Sequence, residues 1–121
     1  MSCPFHRAAL AAAAAASLLS GCGARAVDNA DSERGRRLMA QYQCGSCHTI
    51  PGVPASRGQV GPSLASFGQR SYIAGRMANR PDVLAQWIES PQALVPGTAM
   101  PDMGASFDDA RAMAAYLSSL R

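Results

Sequence analysis

Apolar positions fall into separate stretches along the chain, each with its own spacing. The first is an unbroken run from Ala8 to Leu19, twelve residues rich in alanine. The next is periodic: Leu38, Met39 and Tyr42 recur at helical spacing, with Gly35 one turn before Met39, which predicts a helix from about Ser32 to Tyr42. Residues 49–63 hold three prolines and three glycines and read as a loop. A short helical piece is predicted over Ser71 to Ala78. A stronger helix is predicted over Asp82 to Ser90, with Pro81 in its first turn, Val83, Leu84, Trp87 and Ile88 on one face, and Pro91 as its stop. Residues 91–105 read as a second loop. The last helix begins at Ser106, which with Asp109 matches a capping-box pattern, and carries Ala110, Met113, Ala114, Leu117 and Leu120 as one stripe. No alternating strand pattern and no repeat is visible. The chain is expected to be all-α, with short helices and loops long enough to need something rigid to pack against.

The apolar run changes the domain count. Preceded by Arg7 and ending in Leu19-Ser20-Gly21-Cys22, residues 1–21 read as an export signal rather than part of the fold. The run is too short for a permanent membrane span. Its end resembles a bacterial lipoprotein box, so Cys22 is expected to receive lipid and anchor the chain to a membrane on the periplasmic side. Residues 22–31 would then be the lipidated cysteine and a polar tether of at most about 30 Å. Residues 32–121 would form one small domain. The formal net charge of +3 comes entirely from arginine, for the chain has no lysine. No basic run alternates with aromatics, so nucleic acid is not an expected partner.

Export also simplifies the cysteines. Cys3 would leave with the signal and Cys22 would be taken by lipid, leaving Cys44 and Cys47 in Cys44-Gly45-Ser46-Cys47-His48. Two thiols three residues apart on one turn can each add to a vinyl group at one haem edge, and the next histidine then reaches the iron. The spacing reads as a c-type haem attachment site. A thioredoxin-like pair would need a βαβ setting, a zinc site would need a fourth ligand, and a plain disulfide would leave His48 without a purpose. The cofactor is therefore expected to be one covalent haem c.

The second axial ligand follows by elimination. His6 would be lost with the signal, and lysine is absent. Met39 and Met113 lie on helix stripes, and Met77 is ambiguous. Met100 lies in the stiff segment Pro96-Gly97-Thr98-Ala99-Met100-Pro101 and is the expected ligand, with Met103 next.

These motifs, with Gly61-Pro62-Ser63-Leu64, Trp87-Ile88 followed by Pro91, and Ala115-Tyr116-Leu117, make residues 32–121 resemble a class I cytochrome c. The chain is most similar to the haem domain fused to subunit II of bacterial terminal oxidases. It shows neither the copper-binding domain nor the transmembrane hairpin of that subunit, so a stand-alone lipoprotein is expected. The resemblance implies a cytochrome c fold and several residue roles. The Pro62 carbonyl would accept from the far ring nitrogen of His48. Arg70 and Asn79 would donate to haem propionates. Trp87 would pack by the ring near the methionine side, and Gly35 would let the first and last helices cross closely beside Tyr116. It implies a monomeric one-electron carrier, not an enzyme, whose partners are a terminal oxidase, a dehydrogenase or another respiratory complex. The competing reading is an open-site haem enzyme or gas-binding sensor, against which the stiff 96–101 loop argues.

Overall fold

The computed structural model describes residues 22–121, with side-chain surroundings from Asn29 onward. The expected export signal at 1–21 and the side chain of Cys22, the expected lipid site, lie outside the described residues. Four α-helices carry the fold: α1 (Cys22–Gln41), α2 (Pro81–Glu89), α3 (Pro91–Leu94) and α4 (Phe107–Ser119). Short 3-10 turns at Cys44–Ser46 and Phe67–Gln69 and a hairpin of two-residue strands, β1 (Tyr72–Ile73) and β2 (Met77–Ala78), fill the loops between them. No helix among the described residues is long and apolar enough to cross a membrane.

Helix α1 starts ten residues earlier than the apolar spacing suggested, so residues 22–31 are helical rather than extended. No proline interrupts residues 22–31, and Ala24, Arg25, Ala26 and Ala30 favour helix, so the helix runs back although no apolar face extends there. Helix α2 opens with Pro81 at its first position and buries Leu84, Ala85, Trp87 and Ile88. Pro91 ends α2, as expected, but also opens α3, because a proline tolerates the first turn of a helix as readily as it blocks the interior of one. Ser106 caps α4, its side chain accepting from the Asp109 amide at 3.1 Å.

The segment 71–78 is a hairpin and not the short helix predicted over Ser71 to Ala78. Ala74 and Gly75 both have positive φ, 49° and 67°, the signature of a type I′ turn, and the Arg76 amide closes it onto the Ile73 carbonyl at 3.0 Å. Tyr72 pairs with Ala78 and Ile73 with Met77. Of these, only Ile73 is deeply buried.

The core is one cluster gathered around α4, where Ala110, Met113, Ala114 and Leu117 meet Met39 of α1 and Leu84, Trp87 and Ile88 of α2. Helices α1 and α4 touch backbone to backbone: a Cβ on Gly35 would collide with the Ala112 carbonyl. The crossing is clamped at its edge by Tyr42, whose hydroxyl donates to Asp109 Oδ2 at 2.8 Å, and by Arg34, which pairs with Asp109 and, at 3.1 Å, with Asp108. Gly35→Ala is expected to lower stability by about 3 kcal/mol, the upper end for overpacking, since a carbonyl cannot rotate away as a side chain can. Urea unfolding measures it, and an unchanged midpoint would show that the helices part without loss.

Candidate functional site

The attachment segment begins where α1 breaks. Gln43 takes a left-handed conformation, φ 56°, and turns the chain into Cys44–Ser46. The Cys47 and His48 amides both point to the Cys44 carbonyl, at 3.3 and 3.0 Å, so Cys44, Cys47 and His48 share a single turn. Both cysteines are free thiols and half-buried. Burial, reinforced by the neighbouring Cys47, pushes the Cys44 thiol above its ordinary pKa, which keeps it protonated near neutrality.

Loop 56–64 wraps this turn through backbone bonds. The Gly58 amide donates to the Gly45 carbonyl at 2.9 Å, Gly61 to Cys47 at 2.8 Å, and Leu64 to Thr49 at 2.8 Å. Gly61 lies so close to the His48 ring that a Cβ there would run into it. Ser56, which sequence reasoning passed over, is the buried pin of the loop: its hydroxyl donates to the His48 carbonyl at 2.9 Å and accepts from the Ile50 amide at 2.6 Å.

The His48 ring is oriented by one bond. Its Nδ1 lies 2.7 Å from the Pro62 carbonyl oxygen. A carbonyl only accepts, so Nδ1 carries the proton and Nε2 presents its lone pair. Such a contact fixes both tautomer and ring plane of a metal-binding histidine.

Trp87 is buried on α2. Met100 is half-buried and packs against that core, whereas Met103 is 42% exposed. Arg70 donates through Nη2 to the Ser63 carbonyl and lies over the Phe67 ring, 5.2 Å from its centroid. Asn79 differs from what the resemblance implied. Its Nδ2 donates to the Phe67 carbonyl at 3.0 Å and the Arg70 carbonyl at 2.9 Å. Both amide hydrogens are committed to the chain, so Asn79 braces the turn that carries Arg70 rather than offering a free donor.

The donor set suits haem better than a bare ion. Among the described residues no three of His, Cys, Asp and Glu gather as a metal ion would require. One imidazole and one thioether are too few by themselves, but they are what an iron already held by four ring nitrogens lacks. The two free thiols on the same turn offer such a cofactor covalent attachment.

A helical shell on one buried core, with a Cys-x-x-Cys-His turn and an oriented imidazole, defines a covalent haem-binding electron carrier. The family model for cytochrome c matches residues 32–121, and the chain belongs to the cytochrome c family. It is 37% identical over 93 residues to a cytochrome c oxidase subunit 2 of Alkalihalophilus pseudofirmus, covering 74% of this chain and 26% of that protein. It is 31% identical over 88 residues to a cytochrome c oxidase subunit 2 of Bacillus subtilis, covering 70% of this chain and 24% of that protein. The chain thus spans about a quarter of the length of these curated relatives. No solved structure matches it significantly.

Proposed function

We propose that this protein is a monohaem, lipid-anchored carrier on the periplasmic side of the cell envelope. It would take single electrons from a dehydrogenase or another respiratory complex and hand them to a terminal oxidase. The observation that carries this reading is the His48 ring, with Nδ1 bonded to Pro62 and Nε2 free, on the same turn as two free thiols. When bound, haem supplies the iron couple that gains and loses one electron. The chain's residues do the rest. Cys44 and Cys47 would hold the cofactor through thioether bonds, and His48 and Met100 would be the protein donors to its iron. Arg70, held by Ser63 and by the Asn79 brace, offers its remaining guanidinium nitrogens to a propionate. The apolar core containing Trp87 keeps water from the ring and, with the thioether, favours the reduced state.

The similarity to oxidase subunits supports a terminal oxidase as partner. Purification from the native membrane tests this: the protein should accompany, or be oxidised by, an oxidase complex. Failure of every oxidase fraction to oxidise the reduced protein would rule the partner out. The anchor has its own test. Cys22→Ser should release the protein from membranes with an unchanged haem spectrum. Parent protein found wholly in the soluble fraction of a lipoprotein-competent bacterium would end the anchor reading.

A further inference from the structure

We propose that Gln92 is a positioning residue for Met100, locking the loop that carries the thioether and so controlling how often the sixth iron position opens. The proposal rests on the reading of Met100 as that ligand. Its observation is a single side chain that spans the ligand loop. Gln92 Nε2 donates to the Thr98 carbonyl at 2.6 Å and to the Met100 carbonyl at 3.3 Å. Its Oε1 accepts from the Gly97 amide at 3.1 Å. One amide therefore ties down the beginning and the end of residues 97–100.

The loop needs such a clamp. Gly97, at φ 80°, has no side chain to restrict its backbone to that conformation, and Pro101 has no amide hydrogen with which to fasten the far end. Besides Gln92, the loop is held locally by the Thr98 amide on the Val95 carbonyl, at 3.1 Å, and by a long bond from the Met100 amide to Thr98 Oγ1, 3.4 Å. Gln92 in turn has a firm base. Pro91 beside it is among the most deeply buried side chains, and the Val95 amide closes the α3 turn on the Pro91 carbonyl at 2.9 Å. The clamp is therefore anchored to the core at one end and to the ligand's own carbonyl at the other.

The test uses full-length holoprotein in four forms: parent, Met100→Ala, Gln92→Leu and Gln92→Glu. Carbon monoxide binding to the reduced protein reads the open sixth position. The long-wavelength sulfur-to-iron band of the oxidised protein reads the closed one. Haem content and global unfolding are measured alongside. Gln92→Leu removes all three bonds at similar volume, and Gln92→Glu keeps the acceptor but loses both donors. Both variants should keep their haem and, when cool, the sulfur-to-iron band. Both should bind carbon monoxide about tenfold faster than the parent, a change equivalent to about 1.4 kcal/mol, and should lose the band well below the global unfolding temperature. A merely structural Gln92 would lower unfolding temperature and haem content together and leave the binding rate unmoved. If Met100→Ala opens the site while both Gln92 variants bind within twofold of the parent, the clamp is refuted and the ligand reading survives. If the parent lacks the band, or Met100→Ala leaves it intact, both proposals fall together.

Discussion

Cys44→Ala or Cys47→Ala is expected to remove one thioether and most of the holoprotein, and the double variant to carry no covalent haem. The two thiols lie on one turn with His48, tied to the Cys44 carbonyl and enclosed by loop 56–64. Losing either leaves the cofactor hinged at one edge. Losing the cofactor also leaves this chain of 121 residues short of core, since small domains are only marginally stable. The alkaline pyridine haemochrome spectrum reports how many thioether bonds remain, and denaturing acid extraction reports whether any haem is covalent. Parent-like spectra from both single variants would overturn the attachment at this turn.

Met100→Ala is expected to have the next largest effect. Among the described residues His48 is the sole histidine and lysine is absent, so strong donors for the second axial place reduce to methionine. Met39 and Met113 are spent in the helix core, each almost fully buried, Met77 is fixed in β2 opposite Ile73, and Met103 is exposed. Axial ligands set haem potentials over a range of about 0.8 V, so loss of a soft thioether should lower the potential by on the order of 0.1–0.3 V. The sulfur-to-iron band should vanish and carbon monoxide should bind the reduced protein readily. Met103→Ala should change neither. The opposite assignment of the band to Met103 would show the wrong sulfur was chosen, and rapid carbon monoxide binding by the parent would favour the open-site sensor or enzyme.

The features legible in the sequence were those written in local spacing. Ser106 and Asp109 announce a cap three residues apart, Pro81 and Pro91 bracket α2, and the attachment turn is five consecutive residues. The hairpin at 72–78 was not legible because the deciding fact is the positive φ of Ala74, a residue that ordinarily favours helix. The early start of α1 was hidden because alanine makes helix without making an amphipathic pattern. Ser56 and Gln92 were invisible for another reason. Each joins its side chain to the backbone of a loop six to eight residues away, and such bonds leave no periodicity and no motif. Asn79 shows the reverse: its position matched a family pattern, and only its hydrogen-bond partners reveal that its donors are turned inward.

The crossing of α1 and α4 also sets a timetable. Gly35 and Ala112, which touch, are 77 residues apart in the chain. Closing a loop of that length costs about 4 kcal/mol of chain entropy before any contact compensates. A ribosome working at about 5–20 residues per second needs roughly 3 to 13 seconds to pass from Cys47 to Ala112, 65 residues later. Throughout that interval α1 lacks the helix that its Gly35 face crosses. The last helix is thus the piece that completes the fold: until Phe107–Ser119 exists, the face of α1 around Gly35 stays uncovered.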